Sequence, residues 1–220
     1  MIRERLEHVQ QRLTVAARLA GRSPEEITLV AVSKVKPASD ILAAYDAGQR
    51  HFGESYVQEF EGKSRGLPDL PDAVFHMIGK LQSNKTKPAS ELFDVIQTVR
   101  SIKLARRLND AGKPLGVFLE VKLGDEATKS GLSKDELPAV KEFVESCDNL
   151  KLRGLMGMPP WSDDPEQARP YFRRLRQLAE QYALAELSMG MSHDLEVAIE
   201  EGATLVRVGT AIFGKRIRPQ

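Results

Sequence analysis

The sequence has little cysteine: Cys147 is the only one among 220 residues. An intrachain disulfide is therefore impossible, and a cluster of thiolates cannot bind a metal. Cys147 follows the partly apolar segment 141–146, where a small buried hydrophobic residue is a more natural interpretation than a reactive thiol. The stability of the protein must come from an ordinary hydrophobic core, which a chain of this length can bury without crosslinks.

Neither sign of charge is in excess, because 32 Lys and Arg face 31 Asp and Glu. Nucleic-acid affinity depends on accumulated positive charge, so we expect no nucleic-acid partner. Uninterrupted apolar stretches of membrane-spanning length are missing, and residues 1–20 carry charge throughout, unlike a signal peptide. We therefore expect a cytoplasmic protein that does not associate with membranes.

Histidine is also scarce, with four in the chain and none at the spacing of metal ligands, which argues against a zinc site. Ser192, His193 and Asp194 are adjacent, whereas the members of a hydrolase triad meet through the fold. His76 lies in an apolar segment and is interpreted as a hydrogen-bonded core histidine rather than a base.

Short apolar segments alternate with segments of helical periodicity along the sequence. Such alternation predicts βαβ units with parallel strands. Strands are predicted at 28–33, 51–53, 74–78, 94–97, 117–121, 152–156, 187–189 and 205–208, and helices at 38–47, 55–63, 90–93, 102–110, 134–146, 165–182 and 195–201. This number of strands favours an α/β fold of the (β/α)8 TIM-type barrel class. An open doubly wound sheet is the alternative that periodicity leaves open.

An extra N-terminal helix is predicted before the first strand, because Leu6, Val9 and Leu13 recur at helical spacing and Gly21 follows as a stop signal. The sequence contains no Gly/Ser linker, no low-complexity segment and no repeat beyond the strand–helix alternation. We therefore expect a single domain over residues 1–220.

Lys34 is the first candidate functional residue, because it follows the apolar segment 29–32 at the carboxyl end of the first predicted strand. Active sites of barrels lie at that end. Desolvation in the barrel mouth would lower the pKa of the amine, and a neutral amine can form a Schiff base with an aldehyde. The alternative is a lysine whose charged end reaches solvent beside Lys36.

Glycine and hydroxyl residues follow the last two predicted strands. Gly209 and Thr210 come after the eighth strand, and the seventh leads through Ser188 and Met189 to Ser192. Barrel phosphate sites commonly use these two loops, where backbone N–H groups converge. A phosphate site is therefore predicted, with ordinary helix capping as the alternative.

Arg207 lies inside a strand that otherwise reads as buried. A buried guanidinium needs a partner, because an unpaired buried charge is costly. The partner is either a structural carboxylate, such as Glu120, or an atom of a ligand.

Several segments together resemble a known family. They are, in chain order, AVSK (31–34), FGESYVQE (52–59), HMIGKLQSNK (76–85), GLMGMPP (154–160), SMGMSHDLE (188–196) and RVGTAIFG (207–214). In this order and spacing they are similar to the pyridoxal phosphate homeostasis proteins, also described as the proline synthetase co-transcribed family. The resemblance covers about 29–214 and implies the barrel of the alanine racemase N-terminal domain.

The resemblance also implies a cofactor, pyridoxal 5′-phosphate, and the residues that bind it. Lys34 would bind the cofactor aldehyde as a Schiff base, and Arg207 would face the pyridine nitrogen. Ser192, Gly209 and Thr210 would hold the phosphate. Further expected contacts are Ser188, Met189, Asn84 and His76. The sequence departs from the family at Ser55, where FGENYVQE is usual, so a direct contact from this position is not expected.

The implied function is vitamin B6 homeostasis by a carrier without turnover. An arginine opposite the pyridine nitrogen leaves that nitrogen unprotonated and makes the ring a poorer electron sink. Alanine racemase supplies a second base from a further domain, which we do not expect here. The alternatives are a small racemase or lyase that uses the same cofactor, and an aldolase that binds a sugar phosphate directly. Apo-forms of cofactor-dependent enzymes are possible partners, and a monomer is expected.

Overall fold

The strands of the protein form one closed ring. The structure is a computed structural model that describes residues 1–124 and 131–215. Its strands are β1 (Thr28–Val32), β2 (His51–Glu54), β3 (Val74–Met77), β4 (Val95–Val99), β5 (Leu115–Val121), β6 (Leu150–Gly157), β7 (Glu186–Met191) and β8 (Leu205–Val208). Each strand is parallel to the next, and β8 pairs with β1 through residues 28–31 and 205–208. The predicted (β/α)8 barrel is confirmed, and the open doubly wound alternative is wrong because the ring closes.

Helices precede, connect and follow the strands in the described residues. They are α1 (Ile2–Leu19), α2 (Ala38–Asp46), α3 (Val57–Ser64), α4 (Thr86–Leu92), α5 (Ile102–Asn109), α6 (Leu137–Glu145), α7 (Arg169–Gln181), α8 (Leu195–Glu200) and α9 (Thr210–Phe213). Short 3-10 turns lie at Pro24–Glu26, Ser83–Lys85 and Pro165–Ala168. None of the helices in the described ranges is both long enough and apolar enough to cross a bilayer.

Proline explains where the predicted helix starts were wrong. The helix predicted at 90–93 begins earlier, at Thr86, and the helices predicted from 134 and 165 begin later, at Leu137 and Arg169. Each of these three helices, at its observed position, has a proline in its first turn. Proline is tolerated there because the first N–H groups of a helix have no intrahelical partner.

The core has two layers. The outer layer packs apolar helix faces against the strands, as in α5, where Leu104 and Leu108 are buried and Ser101 Oγ accepts a hydrogen bond from Leu104 N at 3.2 Å. Such a cap typically contributes about 1 kcal/mol. The interior of the barrel has its own apolar cluster, made of Val30, Val95, Phe118, Met156 and Leu205. Polar side chains share this interior, and they build part of the site described below.

The predicted N-terminal helix, α1, lies across the last elements of the ring. Its buried face contacts α8 and α9. Arg12 reaches from α1 to Glu196, with its Nε 2.7 Å from Oε1, and donates to the Ser192 carbonyl at 3.1 Å. The first helix therefore covers the place where the barrel closes.

Candidate functional site

Lys34 lies in the turn directly after β1, at the carboxyl end of the barrel. It is half-buried and lines a concavity of about 250 Å³, a volume that includes space open to solvent. The other lining residues are Val32, Lys36, Gly209, Thr210 and Gly214. The structure therefore brings Lys34 together with Gly209 and Thr210, which follow β8.

The turn that carries Lys34 is strained. The next residue, Val35, has a φ of 61°. This left-handed conformation costs a side-chain-bearing residue roughly 1–2 kcal/mol, so other contacts must hold it. Val35 N donates to Glu59 Oε1 at 2.6 Å, which fixes the turn from the side of α3. Observed strain of this kind is common at ligand-binding positions.

A buried carboxylate supports the same turn from behind. Glu54, the last residue of β2, accepts hydrogen bonds at Oε1 from Ser33 Oγ at 2.8 Å and from Lys63 Nζ at 2.6 Å. Lys63 also donates to the Ser33 carbonyl at 3.0 Å and pairs with Glu59 at 2.7 Å. Burial raises the pKa of Glu54, and the charge of Lys63 opposes that shift. One lysine thus secures the residues on both sides of Lys34.

We expect Lys63→Met to lower the free energy of unfolding by about 3 kcal/mol at neutral pH, because it leaves a buried carboxylate without its cation. Urea denaturation measures this loss. The matched control is Lys141→Met, which removes the surface pair with Glu145 (2.6 Å) and should change stability by at most about 1 kcal/mol. Adding Glu54→Gln to Lys63→Met should restore most of the loss. A double variant as unstable as Lys63→Met would contradict the assignment.

The turn after β8 is tied closely to the turn after β1. A Cβ placed on Gly209 would lie 3.2 Å from the Val32 carbonyl oxygen, closer than such contacts usually are. Lys36 Nζ donates to the Phe213 carbonyl at 2.8 Å and to the Lys215 carbonyl at 3.2 Å. The backbone of Gly209 is therefore open to a ligand on one side and packed against β1 on the other.

The turn after β7 lies at the same end of the barrel and carries Ser192, which is half-buried. Asp194 closes this turn, since its Oδ1 accepts from Met191 N at 2.6 Å. Burial raises the pKa of Asp194, while the charge of Arg207 acts against the shift. Asp194 therefore stabilises the turn that carries Ser192.

Arg207 extends into the barrel interior and is 4% exposed. Its Nη1 donates to Ser188 Oγ at 2.6 Å, and its Nη2 donates to the Gly157 carbonyl at 3.1 Å. Burial lowers the pKa of Arg207 to about 10, with the charges of Asp194 and Glu120 opposing. The guanidinium is still protonated at neutral pH.

A line of polar side chains continues from Arg207 across the interior. Ser188 Oγ donates to Gln97 Oε1 at 2.6 Å. Gln97 Nε2 lies 3.0 Å from His76 Nδ1, and His76 Nε2 lies 3.0 Å from His51 Nδ1. We call Arg207, Ser188, Gln97, His76 and His51 the interior network. Burial lowers the pKa of His51 and lowers that of His76 well below its usual value.

Of the predicted contacts, all of which lie in the described part of the chain, Lys34, Gly209 and Thr210 line the Lys34 concavity and the others do not. Asn84 is exposed in the 3-10 turn after β3. The Met189 side chain is buried in the layer between strands and helices. Cofactor contacts from all of the predicted site residues stay predictions.

Sequence reasoning missed several residues that shape the site: Glu54, Lys63, Gln97 and His51. A signal for Gln97 exists, since it is the polar residue at the centre of the buried strand 95–99. The Glu54–Lys63 pair gives no comparable signal, because its members meet only through the packing of α3 on β2. Within residues 1–124 and 131–215, no group of three or more His, Cys, Asp or Glu side chains could hold a metal ion.

The fold and the site together define a class of protein. A family model described as alanine racemase, N-terminal domain, matches residues 5–217. A solved alanine racemase from Clostridium difficile 630 superposes with a TM-score of 0.74, covering 96% of this chain and 56% of that one. At 12% identity this likeness establishes the barrel alone.

Nearer relatives narrow the class to one family. The pyridoxal phosphate homeostasis protein of Pseudomonas aeruginosa is 47% identical, over 98% of this chain and 96% of its own length. That of Escherichia coli K12 is 44% identical over 98% of this chain and 97% of its own. The chain belongs to the pyridoxal phosphate homeostasis protein family. PipY of Synechococcus elongatus PCC7942, solved with PLP bound, has a TM-score of 0.83 and 40% identity, covering 97% of this chain and all of its own.

Proposed function

We propose that this protein binds pyridoxal 5′-phosphate as a Schiff base on Lys34 and takes part in vitamin B6 homeostasis without turnover, as one domain over residues 1–220. The observation that carries the proposal is the shared concavity of Lys34, Gly209 and Thr210. A relative that is 40% identical over nearly the whole chain has been solved with PLP bound.

The side chains at this end of the barrel fit the proposed cofactor. When bound, it supplies an aldehyde that condenses with an amine and an electron-withdrawing pyridine ring. Lys34 offers the amine. Gly209 and Thr210 offer backbone N–H groups and a hydroxyl for the phosphate, with Ser192 on the neighbouring turn. Arg207 has N–H donors only, which suits an accepting ring nitrogen.

The absence of turnover rests on what surrounds Lys34. Apart from Lys34 itself, the residues that line the concavity in the described part of the chain are Val32, Lys36, Gly209, Thr210 and Gly214. The Lys36 amine donates hydrogen bonds to two carbonyl groups, and the remaining lining residues have no side chain that acts as a base. Two-sided proton transfer at a bound amino acid needs a second base. The homeostasis names of the relatives agree with this reading.

Borohydride reduction followed by peptide mass analysis tests the proposal. The peptide with Lys34 should gain the mass of pyridoxal phosphate less water plus two hydrogens. An adduct with the mass of a sugar phosphate would indicate an aldolase. Incubation with amino acids in D₂O should give almost no exchange of the α-proton, whereas rapid exchange would indicate a racemase or lyase.

The proposed carrier role includes a partner and a state of assembly. Apo-forms of enzymes that use the cofactor would receive it, and the protein would act as a monomer. Mixing the loaded protein with an apo-enzyme in the presence of a pyridoxal phosphate scavenger should restore enzyme activity. Activation no faster than free release from the carrier would contradict direct transfer.

A further inference from the structure

The interior network runs from the cofactor end of the barrel to its opposite end. It connects β8, β7, β4 and β3 and reaches His51, the first residue of β2. Arg207 is 4% exposed, and the three residues that follow it in the network are fully buried. These groups are therefore shielded from bulk water, and each polar atom depends on its neighbour in the network.

Arg207 sets the direction of every bond. A guanidinium has donors and no acceptor, so Ser188 Oγ must accept at 2.6 Å. The Ser188 hydroxyl then donates to Gln97 Oε1, and the Gln97 amide nitrogen donates to His76 Nδ1. His76 must carry its proton on Nε2 and donate it to His51 Nδ1.

The opposite orientation of the amide breaks this order. With the Gln97 nitrogen toward Ser188, the hydroxyl oxygen would accept twice, and its own proton would have no partner among these groups. His76 would then need a proton on Nδ1 to meet the amide oxygen. An unmade hydrogen bond in a dry interior costs more than a typical bond contributes. The order that starts from the Arg207 donors gives each of these contacts one donor and one acceptor.

At the end of the network away from Arg207, the charged groups lie around His51. His51 is half-buried, tilted against the His76 ring with centroids 5.3 Å apart. Arg153 and Glu186 lie near it as a pair, with Nη2 2.7 Å from Oε2. Burial and the charge of Arg153 lower the pKa of His51, and Glu186 opposes the shift. Burial lowers the pKa of His76 most, and His51 and Arg153 lower it further.

We propose that Gln97 and His76 are positioning residues for Arg207, and that the guanidinium dictates a neutral, Nε2-protonated His76 on the other side of the barrel. A proton on His51 Nδ1 removes the acceptor at the end of the network. His51 thereby links the amino-terminal end of the barrel to the arginine at the cofactor end. The link to the cofactor rests on the proposed function; the proton order does not.

Nitrogen-15 NMR of the histidine rings tests the proton order in the full-length protein. Four histidines make the spectrum simple to assign. One of them, His76, should show protonated Nε2 and unprotonated Nδ1 from about pH 5 to 8, the range in which ordinary histidines titrate. A His76 that carries its proton on Nδ1, or that titrates in this range, would overturn the proposal.

Two substitutions at Gln97 sharpen the test. Gln97→Glu presents only acceptors to His76 and should move the His76 proton to Nδ1. Gln97→Met removes both amide groups at similar volume and should leave a mixture of tautomers, so it serves if the glutamate variant does not fold. Gln10→Glu, an exposed change on α1, should leave His76 as in the parent protein. A His76 signal that is unchanged in both Gln97 variants refutes the dependence.

The cofactor gives a separate measurement. Gln97→Met should weaken the binding of pyridoxal phosphate about threefold to tenfold, since it removes the acceptor that orients Ser188, whose oxygen accepts from Arg207. Unchanged affinity, together with an unchanged ring-nitrogen shift of ¹⁵N-labelled cofactor, would overturn the positioning role. A parent protein that binds no pyridoxal phosphate but has the expected His76 spectrum would refute the proposed function and leave the proton order intact.

Discussion

Lys34→Ala is expected to abolish the visible absorption band of protein loaded with pyridoxal phosphate. The band arises from the bond between the cofactor aldehyde and an amine, and Lys34 is the residue proposed to supply it. Retention of the cofactor through gel filtration should fall by more than about tenfold, which corresponds to more than about 1.4 kcal/mol of binding free energy. Absorption spectra before and after gel filtration measure both effects.

Two companion variants separate the amine from charge and from lysine content. Lys34→Arg keeps a positive charge in the concavity but supplies no amine that condenses with an aldehyde, so it should also lack the band. Lys103→Ala removes an exposed lysine of α5 and should behave like the parent protein. The nearest rival is Lys36, which lines the same concavity. A persistent band in Lys34→Ala, with a borohydride adduct on Lys36, would show that the wrong lysine has been assigned.

Gly79→Ala is expected to destabilise the fold by about 3 kcal/mol, the upper part of the range for overpacked positions. Gly79 lies in the turn after β3, where a Cβ would come within 2.6 Å of Ser55 Cα and 2.8 Å of its carbonyl carbon. On the other side, Thr98 Oγ1 donates to the Gly79 carbonyl at 2.7 Å. Gly79 is therefore confined both by the backbone of Ser55 and by the hydrogen bond from Thr98.

The matched control is Gly62→Ala in α3, where a Cβ would meet no heavy atom within 4 Å. Alanine is the better helix former, so this change should stabilise the protein by about 0.5–1 kcal/mol. Urea denaturation of both variants gives the comparison. Equal stability of Gly79→Ala and the parent would mean that the backbone at Ser55 moves away from the added methyl group without loss of stability. If the backbone movement at Ser55 also displaces Glu54, which supports the Lys34 turn, cofactor affinity should fall while stability is retained.

The barrel was predictable because its signal is local. Alternating apolar and amphipathic segments indicate parallel strands, and strand ends indicate where polar residues gather. Lys34, Gly209 and Thr210 meet in the structure because each directly follows a strand whose end could be read from the sequence. Their roles toward the cofactor came from the family resemblance, and they are still proposals.

The support behind these residues was not predictable. Lys63 is a helix residue whose partner, Glu54, ends a strand, and nothing in the spacing says that their side chains meet at 2.6 Å. Gln97 and His51 were assigned to ordinary strands because nothing in their neighbouring residues shows that their side chains face the barrel interior. Inward-facing positions of a small barrel touch residues far away in sequence, so their partners appear only when the ring is closed.

The position of α1 has a consequence for biosynthesis. Its apolar face packs on α8 and α9, which the ribosome makes after β7. The nascent polypeptide therefore emerges with this face uncovered, and β1 has no partner on one edge until β8 leaves the exit tunnel. Uncovered apolar faces and open strand edges are what chaperones recognise. Ring closure must therefore be a late step in the folding of each molecule.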